Sequence, residues 1–289
     1  MATATETAAP TLAGMNYRVV GSLGNGAGST VLEIADKNDR GKRYALKVVR
    51  KLDADDAIYI DQAKTEFEAA QKLNHSAIAR IYDFRLKKSW FRVVGAELLM
   101  EKVDGRTLDE IEAPELGQLV LMFTQAAAAL AHMHRRGVYH GDMKPSNIML
   151  SKSGEVKLID FGTAWIRGEE KNRVQGTPQY IAPEQAAERV VNDKTDIYNF
   201  GATMYRMFTG RYAQTAIPGP GVDRKLPAPS KVNPRIVSTL NNLILSCLEV
   251  SPANRPETMV DVREQLVKVV KEMGLRGAEL KGAEDDEEF

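Results

Sequence analysis

The hydrophobic period of this chain changes once, near residues 101–105, and that change constrains the fold more than any other feature. Upstream, short β-like runs at 17–20, 30–34, 43–49, 81–84 and 91–100 are separated by turn signals. Gly24-Asn25-Gly26-Ala27-Gly28-Ser29, Asn38-Asp39-Arg40-Gly41 and the polar Lys87-Lys88-Ser89 supply those turns. One helical pattern interrupts them, over about 56–73, with Ala63, Phe67, Ala70 and Leu73 recurring on one face. Downstream the period is helical: 116–135 stopping at Gly137, 196–209 closed by Gly210, then 236–248 and 259–270. Loops are expected at 218–221 and 227–229, where Pro and Gly cluster. The pattern predicts an α+β fold of two unlike lobes, a small antiparallel sheet with one helix over residues 15–103 and a larger helical part over 104–273. A cleft between two such lobes is a favoured place for a ligand.

The ends carry no such pattern. Residues 1–14 are Ala/Thr-rich with Glu6 as their one charge, and are expected to be a disordered tail and not a signal peptide. Residues 274–289 finish in an acidic run and read as a second, solvated tail. The 39 basic residues balance the 39 acidic ones, with no long basic block, which argues against nucleic acid or an anionic membrane as partner. The apolar segment 119–133 is broken by Thr124, Gln125 and His132 and is expected to be a buried helix, too short to span a bilayer. Cys247, the one cysteine, lies in an apolar run and reads as a core residue, which excludes an intrachain disulfide and points to a cytoplasmic setting.

Chemistry concentrates in Tyr139-His140-Gly141-Asp142-Met143-Lys144-Pro145-Ser146-Asn147, which holds an acid, a base and an amide within six residues. Pro145 fixes its own φ and disfavours helix at Lys144, so the segment reads as a stiff loop between apolar elements. Lys47 lies in an apolar strand among Ala45, Leu46, Val48 and Val49, where a lysine is rarely left unpaired. Glu66 on the following helix is one partner for it; equally, Glu66 and Glu68 both fit a solvated face. The glycines at 24, 26 and 28 sit between two strands, which excludes a Rossmann or Walker loop and leaves either a phosphate-cradling hairpin or a plain flexible one. Asp160-Phe161-Gly162 follows the strand-like run 156–159, and with Asn147 it suits magnesium and phosphate; an Asx turn fits the tripeptide as well.

Taken in order, these pieces resemble the protein kinase family. The set is Leu23-Gly24-Asn25-Gly26, Tyr44-Ala45-Leu46-Lys47, Glu66, His140 to Asn147, Asp160-Phe161-Gly162, Gly176-Thr177-Pro178, Ala182-Pro183-Glu184, Asp196-Ile197-Tyr198-Asn199-Phe200-Gly201 and Arg255, over about residues 17–270. The details are similar to bacterial eukaryotic-type (Hanks-type) serine/threonine kinases. The resemblance implies ATP and magnesium (or manganese) as cofactors and protein substrates, with no nucleic acid, no membrane segment, and a monomer or weak dimer. It implies Asp142 as catalytic base, Lys144 beside the γ-phosphate, Thr177 in the platform for Ser/Thr acceptors, and Asn147 and Asp160 as metal ligands. Lys47, fixed by Glu66, would hold the α- and β-phosphates under Leu23, Gly24, Asn25 and Gly26. Adenine would lie between Val31, Ala45 and Met149, beside the gatekeeper Met100 and the backbone of Glu101 and Val103. Glu184 and Arg255 would form a buried structural ion pair, and His140, Phe161 and Ala70 would be packing residues.

Two positions depart from the family pattern. Ser29 stands where a third loop glycine is usual, although Gly28 adjoins it, and Gly141 replaces the arginine that pairs with a phosphorylated activation loop in regulated kinases. From Ala164 to Gly176 there is no Ser, Thr or Tyr, so the arginine and its phosphate partner are missing together. An activation loop ordered without phosphorylation is the expectation. The competing reading is a pseudokinase, a nucleotide-binding scaffold; a kinase fold acting on a small molecule is disfavoured by Thr177 and the motifs around it.

Overall fold

The computed structural model describes residues 9–26, 28–39, 41–51, 53, 55–169, 175–213 and 226–275. They form two compact units: the described residues up to Gln71 with Ala79–Val103, and Lys72–Ile78 with the described residues from Asp104 onward.

In the first unit, five antiparallel strands run β1 (Tyr17–Gly26), β2 (Ser29–Asp36), β3 (Arg43–Arg50), β4 (Ile81–Ser89) and β5 (Arg92–Glu101), in the order β1-β2-β3-β5-β4. The helix α1 (Ala57–Ala70) packs on β3, β4 and β5. Side chains alternate along a strand, so Tyr44, Leu46 and Val48 lie on one face of β3 and Ala45, Lys47 and Val49 on the other. The first face carries a cluster of Leu12, Ile34, Tyr44, Leu46 and Leu99, ringed by Met15, Tyr17, Leu32, Val48 and Tyr82. Of the disordered tail expected over residues 1–14, residues 1–8 lie outside the described residues, and Leu12 corrects the expectation for the part that is described. Its side chain is 2% exposed, its N–H donates to Asp83 Oδ2 (2.6 Å), and the Arg85 guanidinium reaches its carbonyl (3.4 Å). A lone leucine in an Ala/Thr-rich run has no period to betray it. The turn between β4 and β5 is also displaced. It falls at Trp90 and Phe91, not at Lys87–Ser89, because β4 continues through Ser89 and pairs it with Arg92.

The second unit contains a three-stranded sheet, β6 (Gly105–Thr107), β8 (Ile148–Ser151) and β9 (Val156–Leu158), in the order β6-β8-β9, and a two-stranded pair, β7 (Val138–Tyr139) with β10 (Trp165–Ile166). Its described helices are α2 (Leu116–Arg135), α3 (Pro183–Glu188), α4 (Asp193–Thr209), α5 (Pro229–Val232), α6 (Ser238–Cys247) and α7 (Met259–Glu272). The helix α2 has the bounds expected for it. At 20 residues it is long and apolar enough to cross a bilayer, which corrects the expectation of too short an apolar stretch; 72% of its apolar window is buried inside the fold. Phe123 meets Phe200 edge-on at 5.3 Å, and Thr124 hides its hydroxyl on the Val120 carbonyl (2.8 Å). The helix α4 starts one turn earlier than its apolar spacing suggests, because Asn192 caps it by accepting from the Thr195 N–H (3.1 Å). Gly201 lets α4 meet α6 closely, since a Cβ there would stand 2.6 Å from that of Cys247. Cys247 is a core residue, and burial pushes its thiol up to about 12.

Two loop expectations change. Pro229 opens a short helix where the cluster of prolines suggests a loop, its ring suiting the first helical position; residues 218–221 lie outside the described residues. Leu275 departs from the solvated tail expected over 274–289, because its N–H donates to Val270 O (3.0 Å) and its side chain covers Gly117. Residues 276–289 lie outside the described residues.

Leu12→Ala tests the docked N-terminal segment. Truncating a fully buried leucine costs about 2–4 kcal/mol, so the denaturant midpoint of the first unit should fall with its slope unchanged. A midpoint equal to wild type would mean the segment contributes nothing.

Candidate active site

Between β7 and β8 the chain runs as the extended loop 140–147. Pro145 keeps Lys144 extended (φ −154°, ψ 166°) and then starts a single 3-10 turn, Pro145–Asn147. The result brings three groups together. Asp142 Oδ1 accepts from the Thr177 N–H (2.7 Å), Oδ2 accepts from Lys144 Nζ (2.7 Å), and Lys144 Nζ also donates to Thr177 Oγ1 (2.9 Å). Asp142 is buried while the Lys144 side chain is 24% exposed, so the acid is fixed from within and the cation faces outward.

Asn147 is tied to the same loop. Its Nδ2 donates to the Asp142 carbonyl (2.8 Å), which leaves Oδ1 as the atom available to a cation. Its own carbonyl accepts from the Ile159 N–H (3.0 Å), and that bond sets Asn147 next to the end of β9. Asp160 follows directly, exposed and in the left-handed region (φ 63°). Such backbone is unusual for a residue other than glycine and recurs at functional sites. Among the described residues no cluster of three or more His, Cys, Asp or Glu side chains forms a metal cage. A carboxylate beside an amide oxygen suits a hard cation that completes its shell with phosphate and water.

The loop is held from below by α4. Asp196 accepts from the backbone N–H of His140 (2.7 Å), that of Gly141 (2.8 Å) and from His134 Nε2 (2.8 Å). Burial by itself would raise this carboxyl, but the hydrogen bonds from His134 and Gly141 and the neighbouring imidazoles outweigh it and hold the group below its usual range. Three and seven residues on, the same helix continues the pattern: Asn199 donates to Tyr180 O (2.7 Å) and Thr203 to Met143 O (3.0 Å). Gln185 closes the other side by donating to Gly141 O (2.6 Å) and Gln175 O (2.8 Å). Gly141 takes φ 73° here, and a Cβ would lie 3.1 Å from the Thr163 carbonyl. His140 is a buried packing residue, edge-on to Phe161 at 5.7 Å. Sequence reasoning assigns no role to Asp196, Asn199, Thr203 or Gln185. The signal that points to the first three is a polar i, i+3, i+7 stripe on a helix that is otherwise buried.

In the first unit the open question about Glu66 closes. Lys47 Nζ meets Glu66 Oε2 at 2.7 Å, with the carboxylate 2% and the ammonium side chain 18% exposed; Glu68 instead pairs with Lys64 at the surface. Strand register sets Gly24, Val31 and Lys47 in one row and Ala45 and Met100 in the next, all on the Lys47 face. Asn25 and Gly26 finish β1, and Leu23 is exposed at its bulge. Gly28 has φ 69° and lies under the Tyr59 ring, which any Cβ there would strike. One expectation is narrowed: the Glu101 N–H donates to Arg80 O (2.8 Å) within the sheet, so it is not available to adenine. Val103 and Met149 are half-buried, each within its own unit.

Glu184 and Arg255 form the expected structural pair. Their bidentate contact (2.7 and 2.9 Å) is buried, Arg255 also donates to the carbonyls of Glu249 and Lys194 (both 2.8 Å), and its guanidinium covers the Tyr198 ring at 4.9 Å. Burial works against the Glu184 carboxylate, yet the Arg255 bond holds its pKa below the ordinary range.

Comparison with known proteins agrees with this arrangement. Residues 17–267 match the protein kinase domain. A probable serine/threonine-protein kinase of Clostridium acetobutylicum is 30% identical over 292 residues, covering 94% of this chain and 41% of its own. Serine/threonine-protein kinase PknB of Mycobacterium tuberculosis is 32% identical over 240 residues, 78% of this chain and 38% of its own. Serine/threonine-protein kinase PrkC of Bacillus subtilis is 28% identical over 263 residues, 86% of this chain and 40% of its own. The chain spans about two fifths of the length of these relatives.

The depressed carboxyls Asp196 and Glu184 make stability depend on pH. A folded pKa below the unfolded one gives stabilisation that is complete above the unfolded value, about 4, and is lost as pH falls through the folded value. The wild-type denaturant midpoint should therefore drop steeply below about pH 4. Asp196→Asn should start from a lower midpoint at neutral pH and decline less steeply. Parallel curves for the two proteins would show that Asp196 carries no such linkage.

Proposed function

The chain belongs to the protein kinase family, with relatives of the bacterial serine/threonine type, and on that premise we propose that it transfers the γ-phosphoryl group of ATP to Ser and Thr hydroxyls of proteins. The observation that carries this reading is the Asp142–Lys144–Thr177 triangle. Phosphoryl transfer through a loose transition state asks little covalent work of a protein and much positioning and charge neutralisation. Asp142 accepts the acceptor hydroxyl's proton as its oxygen attacks phosphorus. Lys144 lies within hydrogen-bond reach of both Asp142 and Thr177, so its charge offsets the γ-phosphate while it holds the acceptor's platform. Lys47, oriented by Glu66, binds the α- and β-phosphates beneath the β1–β2 hairpin, and Val31, Ala45 and Met100 line the adenine. Asn147 Oδ1 and the Asp160 carboxylate would hold magnesium, which would supply charge neutralisation for the phosphates.

We further propose that the activation segment is ordered without phosphorylation. Residues 170–174 lie outside the described residues, and both described stretches of the segment are tied by contacts that involve no phosphate. Trp165 and Ile166 pair with Tyr139 and Val138, the Arg167 N–H donates to Gly137 O (2.7 Å), and Gln185 holds Gln175 to Gly141. The sequence from Ala164 to Gly176 offers no hydroxyl to modify.

Labelled ATP with magnesium and a generic protein acceptor tests the activity. Asp142→Ala should lose roughly 10²–10⁴-fold in rate, with Lys47→Ala also strongly reduced. Equal labelling by wild type and both variants would sink the enzyme reading and favour a scaffold. Phosphatase-treated protein, confirmed free of phosphate by mass spectrometry, should keep its initial rate within about twofold. A rate that appears only after phosphorylation between Thr163 and Thr177 would refute the second proposal.

A further inference from the structure

The β4–β5 ribbon ends in Trp90 and Phe91, and their side chains are 92% and 96% exposed, the most exposed large apolar groups among the described residues. They form the two central residues of a hairpin turn closed by Ser89 and Arg92. Trp90 has φ 55°, a conformation that turns of this kind normally give to Gly, Asn or Asp. The hairpin joining β1 and β2 in the same sheet follows that rule, using Gly28 at φ 69°. At the β4–β5 turn the chain therefore departs from local preference and from burial together. A turn that only had to reverse the chain would need neither aromatic.

The surrounding charge points one way. From Leu86 to Val94 the ribbon reads Leu-Lys-Lys-Ser-Trp-Phe-Arg-Val-Val, with three cations and no acid. The next carboxylate, Glu97, is already engaged by Lys87 (2.9 Å) and Arg85, and among the described residues neither Lys88 nor Arg92 is ion-paired. Leu86 and Val94 add further exposed apolar surface at 40% and 41%. The overall charge balance, which argued against an anionic membrane, averages over distances longer than screening permits; at about 10 Å, charge is felt locally.

We propose that this ribbon tip is a membrane-docking finger that inserts Trp90 and Phe91 into the interface of an anionic lipid bilayer, with Lys88 and Arg92 against the phosphate headgroups. A two-residue turn is convex, so it suits a deformable surface that closes around it better than a rigid one that must supply a pocket. Tryptophan favours the membrane–water boundary, and flanking cations add attraction to anionic lipid. One short finger supplies weak, reversible attachment and no membrane-spanning segment.

The test uses the full chain and vesicles of phosphatidylcholine with or without phosphatidylglycerol. Wild type should co-sediment with the anionic vesicles and shift its tryptophan emission to the blue; Trp165, the only other tryptophan, is half-buried. Trp90→Gly with Phe91→Asn installs residues this turn prefers, so the variant should unfold at the same midpoint or higher. It should lose roughly tenfold or more in vesicle affinity and show no blue shift. Lys88→Glu with Arg92→Glu should reduce binding to anionic vesicles towards the level seen with neutral ones. Failure of wild type to bind anionic vesicles, or equal binding by the turn variant, overturns the proposal. So does self-association, or capture of a protein, that the turn variant abolishes while vesicle binding is absent. Because the readout is lipid binding, it stands or falls separately from phosphoryl transfer.

Discussion

The backbone N–H groups of His140 and Gly141 both point at the carboxylate of Asp196, which lies away from water at the first turn of α4. A carboxylate removed from water costs several kcal/mol, and three charge-assisted hydrogen bonds at about 1.5–3 kcal/mol each are of the size needed to offset it. That near-balance gives the loop its rigidity. If the backbone at 140 or 141 rotates away, the penalty returns, so the loop and the helix start hold one another in place. The conformation of Asp142, Lys144 and Asn147 therefore depends on Asp196, a residue far downstream in the chain that makes its hydrogen bonds to backbone amides of the loop.

Other buried charges divide into two kinds. Glu184 and Arg255 saturate each other: the guanidinium serves two carboxylate oxygens, several carbonyls and an aromatic face, and both partners are buried. Nothing remains for a ligand, and the pair ties α3 to the segment before α7. Lys47 and Glu66 are arranged unevenly. The carboxylate is the more buried member, and the ammonium is reached from outside. A charge pair that is closed on its anionic side and open on its cationic side is suited to a phosphate.

How much of this is legible in the sequence depends on who the partner is. Side-chain period shows where Ala45, Leu46 and Val49 must be buried, and that alone makes Lys47 conspicuous. It leaves Glu66 undecided, because Glu66 and Glu68 sit on the same helix and only the packing of α1 on β3 separates them. Asp196 is visible within a motif but not as an anchor, since its partners are backbone amides, and no sequence pattern spells out a backbone donor. Leu12 escapes because burial of a single residue has no period. The β4–β5 turn is easily misplaced because Lys87-Lys88-Ser89 carry the composition of a loop, whereas Trp90 and Phe91 carry that of a strand.

Gly141 shows how one backbone position can direct a set of hydrogen bonds. With φ at 73° and the Thr163 carbonyl close to where a Cβ would project, glycine is the residue for which this conformation is least costly. Its carbonyl is thereby turned toward Gln185, which carries the same amide on to Gln175. An arginine paired with a phosphate would make order in this segment conditional on a charge that enzymes add and remove. The Gln185 bonds are uncharged, inaccessible to a phosphatase and only weakly sensitive to salt. On the reading proposed above, the order of Gln175 beside Gly141 would therefore not depend on an added charge.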